Sequence, residues 1–209
     1  MADEDDEPSG FTSADARPKG LAVVQPTSDL LAEHPEWRGK YVYNREALLG
    51  SQITFTILKT VRVYAEDKKW VRGQPIAKWF RLSEAKAWSA KTGGKFKEQA
   101  YVVVAVELSE DQAEKLSVPV RRFPDGEGQT KTCLIAAWDL RGSFFSIIGD
   151  EAEHLDSPGR GGKWYTAATT YSSKQVTNDR GTFMVPVSHG RKLNSKEFVE
   201  AVEATALTK

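Results

Sequence analysis

The side chains that most often carry catalysis are few and scattered in this chain. Its three histidines, His34, His154 and His189, lie far apart, and none stands four residues from another histidine or in a paired Cys/His spacing that holds zinc. His154 follows Glu151 and Glu153, a grouping that reads as a charged helix surface rather than a ligand set. The single cysteine, Cys133, sits in the apolar run 132–137, so a buried, inert thiol is expected, with no disulfide partner and no nearby base. Lys95 and Lys163 follow glycine pairs, but Ser89 and Ser157 stand where a phosphate-binding loop needs its leading glycine, and neither lysine precedes Ser or Thr. There is no Gly-x-Ser-x-Gly elbow, and carboxylate pairs such as Glu110-Asp111 fall on an expected solvent-exposed helix. The expectation is a protein that is not an enzyme and needs neither cofactor nor metal.

The residues that do cluster are cations and aromatic rings. Residues 59–97 hold 11 Lys and Arg against Glu66, Asp67 and Glu84, interleaved with Tyr64, Trp70, Trp79, Phe80, Trp88 and Phe96. Binding of a single nucleic-acid strand needs that combination, because phosphates are neutralised by Lys and Arg while unpaired bases stack on flat π-faces. Tyr64, Trp70 and Trp79 are the expected stacking platforms. Arg62, Lys68, Lys69 and Arg72 are the expected phosphate contacts, with Lys59 and Arg81 beside them, and Trp88 is expected to pack its helix onto the body.

A second basic stretch, 157–196, sets Arg160, Lys163, Lys174, Arg180, Arg191, Lys192 and Lys196 against Asp179 alone. Within it Trp164 and Tyr171 add rings. Arg160, Lys163, Trp164, Tyr171 and Lys174 complete the candidate surface, next to a glycine-rich loop (158–162) whose bare backbone can approach a phosphate. Between the two stretches residues 98–128 are acidic on balance, so positive charge is clustered along the chain and can line one groove.

Formal net charge is zero. That balance hides a segregation, since residues 1–16 carry six carboxylates and no Lys or Arg, leaving a basic remainder. Residues 1–20 read as a disordered acidic arm and 21–209 as a single domain. The arm is expected either to occupy a cationic groove or to recruit basic partners such as replication or recombination proteins. No stretch approaches the roughly 18 apolar residues that span a bilayer, and Met1 is followed by acids, so the protein is expected in the cytoplasm, away from membranes.

The elements that must position these residues are mostly strands. Ile53, Phe55 and Ile57 alternate with threonines and the β-rich pattern runs to Tyr64, which predicts one long strand bulged near Lys59. Residues 76–80, 101–108, the segment around Cys133, 164–171 and 182–187 read as further strands, the last two joined across 178–181. Helices are expected at 28–31, 45–49 behind an Asn44 cap, 84–91 behind a Ser83 cap, 109–116, across 139–155, and at the C-terminus behind Asn194. The loop 158–162 is expected to be exposed and flexible. Together these predict a mainly β, α+β chain: an OB-like, partly open antiparallel barrel with a C-terminal helix, the β-sandwich being its rival.

The layout resembles that of the bacteriophage single-stranded-DNA-binding proteins of OB-fold type. The likeness rests on the β-rich opening 53–64, the basic-aromatic middle, the segment 134–148, the strand ending Phe183-Met184-Val185-Pro186-Val187 and the closing helix. It spans about residues 40–205 and contains no diagnostic motif; many of those proteins carry an acidic tail at the C-terminus, whereas here it is N-terminal. The resemblance implies a protein that coats single-stranded DNA with little sequence preference in phage replication or recombination, with a homo-oligomer on DNA as a further expected assembly. The alternative is a phage structural or host-interaction protein whose aromatic and basic surface is a protein interface.

Overall fold

A computed structural model describes residues 20–68, 76–179 and 181–208. Ten strands form one sheet: β1 (Gly20–Val23), β2 (Tyr41–Tyr43), β3 (Ala47–Gly50), β4 (Gln52–Glu66), β5 (Lys78–Trp79), β6 (Phe96–Leu108), β7 (Val120–Pro124), β8 (Thr130–Leu140), β9 (Ala167–Asn178) and β10 (Gly181–Leu193). Their order is β10-β9-β4-β6-β8-β1-β2-β3, with β5 added to β4 and β7 to β8. Four helices accompany them among the described residues: α1 (Leu82–Thr92), α2 (Glu110–Leu116), α3 (Ser146–Ala152) and α4 (Lys196–Glu203). All pairings are antiparallel except that of β1 with β8. The chain is therefore mainly β, and the sheet curls into an open half-barrel.

The centre of the sheet is the triplet β4-β6-β8, whose β-branched sequences suit strands buried on both faces. On the concave face Phe55, Ile57, Val102, Val104, Leu134, Ala136 and Trp138 join Tyr41, Tyr171 and Phe144 in the main core. Their rings meet in a chain: Phe55 stacks on Tyr171 at 5.6 Å and meets the edge of Trp138 at 5.6 Å, and Trp138 lies 5.7 Å from Phe144. On the convex face Leu58, Val103, Ala105 and Cys133 are covered by Phe198 and Val202 of α4. A third, smaller cluster of Val24, Trp37 and Val42 lies under the two 3-10 turns Asp29–Ala32 and Pro35–Trp37.

The two sides of the curl are fastened by side chains rather than by a strand ladder. Ser173 Oγ donates to the Gly39 carbonyl (2.6 Å), the Met184 amide donates to Gln25 Oε1 (3.0 Å) and Ser143 Oγ donates to the Met184 carbonyl (2.9 Å). Gly39 sits at φ +72°, and a Cβ there would stand 2.7 Å from the Met184 methyl, so glycine serves both the turn and the close approach.

Several expectations hold and several are corrected. The long strand is present with its register shift between Ile57 and Lys59, Ser28 caps the turn after it, and Ser109 forms a capping box with Gln112 on α2. The helix expected behind Asn44 is instead the β2-β3 hairpin: Asn44 and Arg45 take φ of 52° and 63°, and consecutive left-handed residues close a hairpin turn, not a helix. The single helix expected across 139–155 is divided. β8 runs on to Leu140, Gly142 at φ +59° breaks the chain direction, and a 3-10 turn Gly142–Phe145 precedes α3.

α1 begins at Leu82 without a side-chain cap, so Ser83 lies inside it, and Gly93 ends it in the left-handed conformation. α4 is capped by Ser195, whose Oγ accepts from the Phe198 amide. Asn194 instead donates its side-chain amide to Thr56 Oγ1 and the Tyr165 carbonyl. Residues 164–166 form a 3-10 turn, and β9 begins only at Ala167. Among the described residues no helix is long and apolar enough to cross a membrane.

Candidate functional site

The far end of β4 builds the aromatic and cationic surface. Past the bulge, Arg62 and Tyr64 continue the face that carries Phe55 and Ile57, and β5 pairs Trp79 with Tyr64. α1 is set against β5 by the Trp88 ring, which also covers Gly94 just past the helix end, where a Cβ would stand 2.3 Å from the indole, and Ser89 Oγ donates to the Gly94 carbonyl at 2.7 Å. Trp88 thus packs its helix as expected. Trp79 remains half-buried, its ring 4.7 Å from that of Trp88 with the planes tilted by 39°. Residues 76–97 set six cations, Lys78, Arg81, Lys86, Lys91, Lys95 and Lys97, against Glu84, and all but Arg81 are exposed.

The other candidates in this stretch divide. Tyr64 is corrected to an interior residue, 6% exposed and edge-on to Phe96 at 5.9 Å, since pairing on both sides of β4 covers it. Lys59 is half-buried at the bulge. Arg62 and Lys68 are exposed but engaged, with Glu98 at 3.4 Å and Glu66 at 2.7 Å. Lys97 likewise meets Asp67 at 3.0 Å. Arg81 precedes α1, half-buried. Lys69, Trp70 and Arg72, with the hairpin turn expected there, lie outside the described residues.

In the second stretch, two rings and a cation prove structural. Tyr171 is 1% exposed, stacked on Phe55, and burial pushes its phenol upward in pKa, as it does for Tyr41. Arg160, expected on an exposed glycine loop, is 2% exposed because its guanidinium turns inward to Glu151 (3.1 Å) and the Trp164 carbonyl (3.1 Å). Glu151 is itself buried and also accepts from Arg191 (2.8 Å) and Thr169 (2.8 Å). Burial alone would raise its carboxyl, but the bonds from Arg191, Thr169 and Arg160 outweigh it and hold the group below the usual carboxylate range. Trp164 is half-buried against the main core. Lys163 is exposed, paired with Glu203 at 2.5 Å and 5.9 Å above the Tyr165 ring, and Lys174 is exposed on β9.

The first basic stretch and the β9-β10 hairpin both reach the end of β8, a route the sequence did not suggest. Asp139, near the end of β8, receives Lys78 at 3.0 Å and Arg141 at 3.7 Å. Two residues further on, Ser143 bonds to Met184 of β10, so the β9-β10 hairpin reaches the end of β8. Between them lies a hollow of about 840 Å³ lined by β1, the end of β8, Phe144 and Phe183. Arg141 and Phe183 were not among the expected site residues. Apolar residues at every second position, Leu134, Ala136, Trp138 and Leu140, are the signal that extends β8 and places Arg141 just past its end.

The groups suited to bond-making chemistry remain dispersed. Among the described residues no group of three His, Cys, Asp or Glu is placed to hold a metal ion. His34 stacks on Trp37 at 3.9 Å, and Cys133 is fully buried, its thiol pushed up to about 12 by burial. Ser172 Oγ lies 2.6 Å from His189 Nε2 on the exposed hairpin, but no carboxylate is seen to orient that ring among the described residues, as a triad requires. Comparison of the chain with protein-family models, with curated proteins and with solved structures returns no match.

Proposed function

We propose that the protein binds single-stranded DNA without transforming it, as an OB-like half-barrel that coats the strand with little sequence preference during phage replication or recombination. The observation that carries this reading is Trp79: a half-buried indole, braced by Trp88, in a segment of six cations and one carboxylate. A braced ring loses little freedom when a base stacks on it, and stacking contributes about 1–3 kcal/mol per base whatever the base. Dense cations beside it neutralise the phosphates that follow. Neither feature reads base edges, which fits low sequence preference.

Titrating the intrinsic tryptophan fluorescence with an oligothymidylate of about 20 nucleotides tests the reading. Quenching is expected at low salt. If all six cations engage phosphates, the log–log salt slope approaches about −4, which weakens binding roughly 300-fold between about 50 and 200 mM salt. Trp79→Ala is expected to lose about 5- to 150-fold in affinity. No response of the wild-type protein at low salt would refute the proposal and leave this surface as a protein interface.

A further inference from the structure

The hollow at the end of β8 has a floor and a rim of different chemistry. Its floor is apolar and buried: Leu21 and Trp138 are each 3% exposed and Phe144 6%. Its rim carries the half-buried ring of Phe183 and the guanidinium of Arg141, whose side chain is 58% exposed. Asp139 holds Arg141 only at 3.7 Å, while Lys78 takes the same carboxylate at 3.0 Å, so the guanidinium keeps donors for an incoming anion. A flat apolar body with an anion attached is the ligand that such a floor, ring and cation fit together, and an arginine fork suits a phosphate.

Continuity says where that ligand comes from. Lys78 is the neighbour of Trp79 in β5, and its ammonium meets Arg141 on the Asp139 carboxylate, so the basic segment that carries Trp79 reaches the rim of this hollow. We propose that the hollow is a nucleotide subsite of the single-strand track, in which Phe183 stacks one base above the apolar floor and Arg141 takes the adjoining phosphate. The assignment rests on the single-stranded-DNA reading given above.

The test compares wild type, Phe183→Leu, Arg141→Ala and Trp79→Ala in titrations with oligothymidylate and with thymidine monophosphate. Phe183→Leu keeps apolar bulk but removes the π-face, and it is expected to lose about 5- to 150-fold in affinity for the oligonucleotide with an unchanged salt slope. Arg141→Ala is expected to weaken binding and to reduce the slope by about 1. Ultraviolet cross-linking of the wild-type complex, mapped by mass spectrometry, is expected to mark Phe183. If Trp79→Ala loses affinity while both rim variants bind as wild type, the subsite is wrong and the broader function stands. If wild type takes no oligonucleotide, both fall. If the mononucleotide binds as tightly as the oligonucleotide, the hollow is a site for free nucleotides and not part of a track.

Discussion

Replacing Glu151 by alanine is the substitution whose cost follows most directly from the structure. Its carboxylate is 3% exposed and accepts from Arg160 (3.1 Å), Arg191 (2.8 Å) and Thr169 (2.8 Å). These bonds tie α3, the 158–166 segment, β9 and β10 together. Alanine leaves the 2%-exposed Arg160 guanidinium without its counter-charge, and breaking a buried pair in this way costs about 3–5 kcal/mol. For a chain of this length about 2–4 °C of midpoint accompanies each kcal/mol, so unfolding is expected to move down by about 6 to 20 °C. Urea denaturation at neutral pH, followed by circular dichroism, supplies the free energy. Because the folded carboxyl titrates below its ordinary value, its contribution is complete above the unfolded pKa of 4.5 and is lost as pH falls through the lower folded value. Wild type should therefore lose stability in acid more steeply than Glu151→Gln. A loss under about 1 kcal/mol for Glu151→Ala would refute the view that this carboxylate neutralises a buried guanidinium.

Other consequences are quickly checked. Gly94→Ala places a carbon against the Trp88 ring, and it is expected to shift the near-ultraviolet circular dichroism of the Trp79–Trp88 pair and to weaken oligonucleotide binding together with it. Cys133, buried and with its thiol pushed up to about 12, is expected to resist a disulfide reagent at pH 8 until denaturant is added. Removal of residues 1–16, which carry six carboxylates, is expected to raise single-strand affinity; unchanged affinity and salt slope would refute competition between these carboxylates and the strand for the cationic surface.

The sequence disclosed those parts of the fold that have local causes. Alternation through Ile53, Phe55 and Ile57 announced β4, the valine run announced β6, and serine caps announced the first turn and α2. It misplaced the segments where one backbone angle overrides side-chain spacing. Asn44 and Arg45 turn a helix-like stretch into a hairpin, and Gly142 divides what spacing alone would make one helix.

The site was less legible, because composition reports which residues are cations and rings but not which way they face. Arg160 follows glycines and reads as surface, yet the carboxylate that buries it lies nine positions earlier on α3. Tyr171 is polar in type and interior in fact, since β9 sits between β4 and β10 and turns that residue onto Phe55. The contacts that bring Lys78 and the β9-β10 hairpin to the end of β8, Lys78 to Asp139 and Ser143 to Met184, span 61 and 41 residues, beyond any periodicity a linear reading can detect.

The pairing of β4 with β9 bears on how the chain must be assembled. Thr54 faces Thr170 and their hydroxyls touch, although 116 residues separate them. β1 likewise waits for β8, since Leu21 pairs with Trp138. As the polypeptide leaves the ribosome, β4 and β6 can zip together early, yet one side of β4 stays bare until the final quarter has been translated. Distant pairings of this kind slow folding, and a bare strand flank invites association with other chains. A transcript truncated before β9 would therefore be expected to yield aggregates rather than a smaller soluble product.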